Sequence, residues 1–273
     1  MPSFRFCRPD DIPLLVEAVN QCYDVHFPDA ERLTLSAFQA EIRELDMWAS
    51  NCMVARENDR PIGVLIAGKR PQEVLIRRLG VHPAFQGRGV GSHLLTSLSQ
   101  KLAVLGPDRL IIELPHRHDH LLPFLQKNRY RQEATFYTYT LTAPPTTPPP
   151  PDLVIPFTLQ DALDNDVIGA PEAPNPQPWA SQLPSLKALA ERLKGYAIAS
   201  PDRIETYLLF TDSTTGTTIH RHGPTGSPPY LPILLSHTLA TCPAPITLQT
   251  FSPLPNITPN TATRLLAAAA KPL

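Results

Sequence analysis

The sequence lacks the features of a secreted, membrane-spanning or nucleic-acid-binding protein. Its four cysteines show neither CxxC spacing nor the density of a disulfide framework, which indicates reduced thiols. No run approaches the ~18 consecutive apolar residues of a membrane span, and the first residues contain no apolar signal-peptide core. The net charge is −1, so no overall basic field favours nucleic acid or an anionic membrane. We therefore expect a cytoplasmic protein without nucleic-acid or membrane partners.

Proline is unevenly distributed along the chain. Of the 33 prolines, 23 lie at or after position 144, and the densest cluster occupies residues 143–151. Such a run cannot continue a helix or a central strand and favours an extended spacer. The length of 273 residues suits one large or two modest domains. We predict a first domain at 1–142, a proline-rich linker at 143–151 and a second domain at 152–273.

Strands and helices alternate in the first predicted domain. Apolar patterns and cap signals predict strands at 4–7, 52–56, 62–67, 74–81, 110–114 and 136–141, and helices that begin near Asp10, Thr34, Gly89 and Asp119. A hairpin turn lies between the second and third strands. This order predicts an α/β fold in which helices flank both faces of a mixed, mostly antiparallel sheet.

The second predicted domain repeats part of this order. Strands are expected at 196–199, 206–210, 217–220 and 246–250, and helices at 186–193, 230–240 and 261–270. The order matches the second half of the first domain and indicates an internal duplication. The copy has lost its glycine motif: residues 223–229 stand in its place, and two adjacent prolines remove amide donors from that segment.

A glycine-rich turn joins the strand at 74–81 to the following helix. Pro83 ends the strand, and Gly87, Gly89 and Gly91 let the backbone approach a ligand closely. The free N–H groups of the first helical turn and the helix dipole favour an anion there. Arg88 adds a positive charge. The pattern therefore predicts a pyrophosphate site.

Two other interpretations of this turn are open. An ordinary glycine-rich strand–helix connection needs no ligand. A dinucleotide-binding motif needs a third glycine where Ser92 stands, although Glu113 lies about twenty residues on, where a ribose-binding acid belongs. The hairpin before the turn disfavours the dinucleotide interpretation, since that fold surrounds its motif with parallel βαβ units.

Residues 86–91 resemble the acetyl-CoA signature Q/R-x-x-G-x-G/A of the GNAT superfamily of N-acetyltransferases. The preceding V-H-P segment fits as well, and the resemblance covers roughly residues 4–141, with the second half as a degenerate repeat of a tandem GNAT protein. It implies that the backbone of Leu79 and Val81 pairs with the pantetheine arm of acetyl-CoA. It also implies that the amides of the turn bind the pyrophosphate, through Gln86, Gly87, Arg88, Gly89, Val90 and Gly91.

Acetyl transfer to an amine needs a proton acceptor. Glu73, Glu113 and His118 are the candidates, because the first two lie at strand ends where the family often has a carboxylate and the third aligns with a frequent asparagine. Solvated strand-end acids and a plain loop histidine are the alternatives. Leu125 stands where the resemblance leads us to expect the tyrosine that protonates the leaving thiolate. Tyr137 and Tyr139 are possible substitutes or packing residues.

Neither a metal nor a particular acceptor is predicted. The histidines at 116, 118 and 120 do not by their spacing build a tetrahedral site. Acceptor-side contacts are expected from the first two helices, with His26, Phe27 and Asp29 as candidates. The resemblance implies acetyl transfer to a primary amine of a small molecule or protein. The alternative is a non-catalytic acyl-CoA sensor or scaffold. We expect no coenzyme in the second half, and a homodimer through that half is one option.

Overall fold

The computed structural model describes residues 1–26, 31–107, 109–143, 153–168, 177–223, 230–250 and 260–268, with backbone alone at 250 and 260–268. The chain forms two compact units: Met1–Glu133 with Thr263–Leu273, and Ala134–Ala262. The predicted linker, apart from Ala143, lies outside the described residues, as do Phe27, Asp29 and residues 224–229. The predicted domain limits stay a prediction.

The first unit contains most of the regular structure predicted for the first half of the chain. Its strands are β1 (Ser3–Phe6), β2 (Met53–Glu57), β3 (Arg60–Lys69), β4 (Glu73–Val81) and β5 (Arg109–Pro115). Its helices are α1 (Ile12–Cys22), α2 (Leu35–Glu44), α3 (Val90–Leu105) and α4 (Leu122–Lys127). Thr34 caps α2, since its hydroxyl oxygen accepts a hydrogen bond from the backbone N–H of Ala37.

The second unit starts within β6 (Arg131–Leu141). Its further strands are β7 (Ile155–Pro156), β8 (Lys194–Ala199), β9 (Ile204–Ser213), β10 (Gly216–Gly223) and β11 (Ile246–Thr250). Its helices are α5 (Leu159–Asp164), α6 (Leu183–Ala188) and α7 (Tyr230–Thr241). The chain then returns to the first unit through β12 (Asn260–Ala268).

The sheet of the first unit has the order β1-β2-β3-β4-β5-β12. Strands β1 to β4 pair antiparallel, and β4 pairs parallel with β5 across the α3 connection. Apolar residues of α1 and α2 pack on one face of this sheet, and those of α3 and α4 pack on the other. The predicted α/β fold, a mostly antiparallel sheet with helices on both faces, is confirmed. No described helix has the length and apolar character needed to cross a membrane.

The sheet of the second unit has the order β6-β11-β10-β9-β8-β7. Strands β8, β9 and β10 form an antiparallel meander, and α7 connects β10 to the parallel strand β11. In the first unit, β2, β3, β4, α3 and β5 follow in the same order with the same pairing directions. The observed topology therefore agrees with the predicted internal repeat.

The prediction of a final helix at 261–270 is wrong. Residues 260–268 form the strand β12, next to β5 in the sheet order. The alanine-rich sequence has a high intrinsic helix propensity, but tertiary context overrides a weak local preference. Here the place next to β5 in the sheet determines that residues 260–268 form a strand.

In the second unit, the environment of the partly buried His220 predicts a pH dependence of stability. Burial lowers the pKa of His220 to about 4, with Arg192 as a second cause, and its Nε2 lies 2.8 Å from Thr211 Oγ1. Because the unfolded chain binds this proton near its ordinary pKa of 6.5 and the folded protein does not, the free energy of unfolding should fall from pH 6.5 to 4. We expect a loss of up to about 3 kcal/mol.

This loss is checked by urea unfolding of the second unit across that pH range. A His220→Gln variant retains a polar group for Thr211 but has no titrating proton, so it should show a flatter profile. An equal pH dependence in both proteins would contradict the assignment to His220.

Candidate functional site

Strands β4 and β5 are paired at only one end. The described register joins Glu73 to Arg109, Val74 to Leu110 and Leu75 to Ile111, and no further β4–β5 pair is present among the described residues. On the β3 side, the register skips Arg77, which forms a bulge. The stretch from residue 76 to 81 therefore presents backbone polar groups toward β5 without strand partners there. Such groups need a hydrogen-bonding partner, which a bound extended ligand can supply.

The glycine turn lies at the open end of this gap. Gly87 and Gly89 have φ of 73° and 81°, a region that favours glycine, and a Cβ at either position would meet nothing within 4 Å. Helix α3 starts directly after Gly89 without a side-chain cap. The first intrahelical hydrogen bond is donated by the His93 N–H to the Gly89 carbonyl, so the amides before His93 have no intrahelical partner. The turn thus combines free donors, open space and a positive helix end, which suits an anion.

The predicted cofactor residues lie around this turn and the end of β4. Leu79 and Val81 are partly buried against the core of α3 and α4, and Val90 is buried in that core. A Cβ on Gly91 would lie 3.2 Å from Phe124 of α4, so only a small residue fits there. Gln86, Gly87, Arg88 and Gly89 are exposed. The eight residues named from the sequence therefore lie along one continuous strand–turn–helix segment.

A histidine from the turn after α1 contacts the end of β4. The Nε2 atom of His26 lies 3.0 Å from the Val81 carbonyl oxygen, and Gln86 Nε2 lies 3.4 Å from both that oxygen and His26 Nε2. His26, proposed from the sequence for the acceptor side, thus touches the strand carbonyl assigned by the resemblance to the pantetheine arm. Sequence reasoning did not predict this contact.

Glu73 lies at the paired end of β4. It is 8% exposed, and its carboxylate lies 3.8 Å from Arg109 Nε. Its carbonyl oxygen accepts a hydrogen bond from the Arg70 N–H. Glu73 is therefore held by contacts with Arg109 and Arg70 at the paired end of β4 and β5.

Glu113 lies on the separated part of β5, two residues beyond the last pair with β4. Leu110, Ile112 and Leu114 belong to the core under α3 and α4, so Glu113 faces the other side of the sheet, which α1 and α2 cover. The charges of Glu113 and Glu73 both act on the guanidinium of Arg70. Burial lowers the pKa of Arg70, while the charges of Asp46, Glu73 and Glu113 oppose that change.

His118 lies in the turn between β5 and α4. Burial, followed by the charges of Arg117 and His120, lowers its pKa from the ordinary 6.5, so the imidazole is neutral at pH 7 and can accept a proton. Arg117 Nε donates to His118 Nε2 at 3.1 Å, and His116 pairs with Asp119. The described residues contain no cluster of three or more potential metal ligands.

A buried leucine occupies the position of the expected leaving-group acid. Leu125 is 3% exposed and packs in the core under α3 and α4. Tyr130 lies in the same core, where burial raises its pKa. Tyr139 is fully buried in the core of the second unit, and Tyr137 packs against that core.

Comparison with known proteins finds similarity to acetyltransferases in the first half of the chain. The model of the acetyltransferase (GNAT) family matches residues 13–128. An acetyltransferase of Photorhabdus laumondii is 27% identical over 92 residues, which cover 33% of this chain and 64% of that protein, slightly less than two thirds of its length.

Solved structures resemble nearly the whole chain. The GCN5-related N-acetyltransferase from Sphaerobacter thermophilus superposes with a TM-score of 0.67 at 15% identity and covers 98% of this chain and 96% of its own. A tandem GNAT protein from the clavulanic acid biosynthesis pathway gives 0.65 at 12% identity and covers 99% of each chain. At such identities the likeness concerns the fold alone.

Proposed function

We propose that this chain, whose residues 13–128 match the acetyltransferase (GNAT) family model, transfers an acetyl group from acetyl-CoA to a primary amine by direct attack. Acyl transfer is the activity of the family, whereas the acetyl donor and the amine acceptor are parts of the proposal. The observation that carries it is the unpaired edge of β4, which leads from the glycine turn to Glu113.

The geometry fits an extended donor. The turn amides and Arg88 would bind the pyrophosphate, and the edge of β4 from residue 76 to 81 offers about 20 Å of strand for the pantetheine arm. A donor in this position brings its thioester to the end of the gap where Leu75 and Ile111 pair. Glu113 follows this pair on β5, so we assign it as the acceptor of the amine proton.

Two groups remain alternative proton acceptors. Glu73 lies on the paired side of the same junction but is held beside Arg109. His118 is neutral at pH 7 and follows β5 by three residues. Because position 125 is a leucine, either a water molecule protonates the leaving thiolate or the thiolate leaves unprotonated.

The proposal is tested by following thiol release from acetyl-CoA with a panel of small amines and peptide N-termini. Amine-dependent release supports the transferase. The burial of Leu125 at the tyrosine position favours a second candidate, a non-catalytic acyl-CoA sensor. Tight acetyl-CoA binding without release for any amine would support the sensor. Absence of acetyl-CoA binding would contradict both functions.

The second unit is proposed to bind no coenzyme. Among the described residues, its strands β10 and β11 pair from Thr217 to Ile219. The Nε2 atom of His222 lies 3.2 Å from the Gln249 carbonyl oxygen and links the two strands beyond that pairing. We expect one acetyl-CoA per chain in a calorimetric titration, and two would overturn this assignment. A homodimer stays a prediction, which sedimentation equilibrium tests.

Removal of His26 should strengthen acetyl-CoA binding. Pairing of the donor with Val81 requires its carbonyl oxygen, which His26 Nε2 contacts at 3.0 Å. Since a hydrogen bond contributes a net ~0.5–1.5 kcal/mol, a His26→Ala variant should bind about 2- to 12-fold more tightly.

Calorimetry on the variant and the wild type measures this change. Val25→Ala is the matched control, because Val25 is an exposed neighbour in the same turn. A weaker affinity in His26→Ala would show instead that His26 supports the bound donor.

A further inference from the structure

Two consecutive arginines lie at the bulge of β4, and they differ in their contacts. The Arg78 guanidinium donates two hydrogen bonds to the Glu41 carboxylate of α2, at 2.5 and 2.8 Å, and lies 5.9 Å from the centre of the Tyr23 ring. Arg77 is exposed, and within the described part of the chain its guanidinium has neither a hydrogen bond nor an ion pair. The donors of Arg77 are therefore available to a ligand.

Both arginines lie on the face of the sheet that α1 and α2 cover. Burial raises the pKa of Glu41, but hydrogen bonds from Arg78 and the charges of Arg78 and Arg77 outweigh burial and lower this pKa. The Arg77 guanidinium is therefore near α2. Arg70, in the turn between β3 and β4, already donates from Nε to Asp46 at 2.8 Å. Of these three arginines, Arg77 is the one that can bind an anion without giving up an acidic partner.

Arg77 also lies beside Glu113 of the neighbouring strand. The parallel register pairs Leu75 with Ile111, so two residues further along each strand it reaches Arg77 and Glu113. Side chains alternate between the two faces along a strand, and Glu113 faces the α1 and α2 side because its neighbours on β5 pack under α3 and α4. The assigned proton acceptor and an available guanidinium therefore flank the separation between β4 and β5, where the donor thioester is placed.

We propose that the acceptor is an amino acid, whose amine reaches Glu113 and whose carboxylate binds Arg77. A guanidinium recognises a carboxylate through two parallel hydrogen bonds and repels a second positive charge at the same place. In an α-amino acid the amine and the carboxylate are attached to the same carbon, so one small molecule meets both side chains. This inference rests on the proposed function and narrows its acceptor from any primary amine to an amino carboxylate.

The test is thiol release from acetyl-CoA by the full chain with the standard amino acids, each compared with its own amide. The amide has nearly the same size but no negative charge. For the amino acid that is acetylated fastest, we expect a KM at least about tenfold below that of its amide, because hydrogen bonds between charged groups are stronger than neutral ones. The amine of the amide loses its proton more easily, so protonation works against this preference.

Three variants assign the preference to one side chain. In Arg77→Met the difference between the two KM values should nearly disappear, whereas Arg77→Lys, which keeps the charge without the planar fork, should retain part of it. Arg43→Met is the matched control, because Arg43 is an exposed arginine of α2 that points away from the Glu41 side of the helix. It should keep the full preference. An unchanged preference in Arg77→Met would overturn the inference.

Calorimetry with N-acetylated amino acids gives a second measurement that needs no turnover, and their binding should depend on Arg77 in the same way. Thiol release with amines that shows no preference for a carboxylate would overturn this inference and leave the transferase proposal intact. Arg77-dependent binding of acetylated amino acids without any thiol release would support the carboxylate site while the transferase fails. If no amine releases thiol and no acetylated amino acid binds, both are wrong.

Discussion

A Gly89→Val variant is expected to lose at least about a hundredfold in affinity for acetyl-CoA. Gly89 has a φ of 81°, which costs an L-residue roughly 1–2 kcal/mol. A branched side chain would also fill the open space in front of the free amides at the start of α3. Loss of two hydrogen bonds to a charged group, at ~1.5–3 kcal/mol each, accounts for the size of the effect.

The control for backbone strain is Asp166→Val in the second unit. Asp166 has a φ of 58° in the turn after α5, so valine meets a similar conformational penalty there. We expect normal acetyl-CoA binding in this variant and a comparable decrease in thermal stability. Affinity of Gly89→Val within threefold of the wild type would remove the turn from the proposed cofactor site.

The glycine turn could be predicted because its signals are local. Glycine spacing, the proline that ends β4 and the apolar period of α3 all lie within one short segment, and each agrees with the others. The separation of β4 from β5 could not be predicted in this way, because register depends on both partners. One local signal was available: Arg77 and Arg78 are consecutive charges that break the alternation of an otherwise apolar strand, where the bulge occurs.

Two other features depend on contacts between distant parts of the sequence. His26 and Val81 are 55 residues apart, so nothing in either segment indicates their contact. The strand β12 has the composition of a helix and pairs near β5, which lies about 150 residues earlier in the chain. Local propensity misidentifies such a segment because the partner strand supplies the deciding hydrogen bonds.

The proton acceptor is the second position where a large effect is expected. A Glu113→Gln variant should bind acetyl-CoA with unchanged affinity but lose about 10²- to 10⁴-fold in kcat, the usual contribution of general base catalysis. The expectation follows from its place on β5, beyond the last pair with β4 and opposite the core under α3 and α4. Glutamine retains the shape and the polar contacts of the side chain, so the change isolates the proton-accepting oxygen.

Glu73→Gln and His118→Gln are the matched variants for this experiment. Glu73 lies 3.8 Å from Arg109 at the paired end of β4. Its replacement should therefore lower the thermal stability and leave kcat nearly unchanged. His118 has a pKa lowered from 6.5, so if it is the base, kcat decreases only below pH 6.5 in the wild type, and that decrease disappears in His118→Gln. If Glu113→Gln keeps the full kcat and one of the other two variants loses it, the residue replaced in that other variant is the proton acceptor. Full kcat in all three would mean that the amine reaches the site already deprotonated.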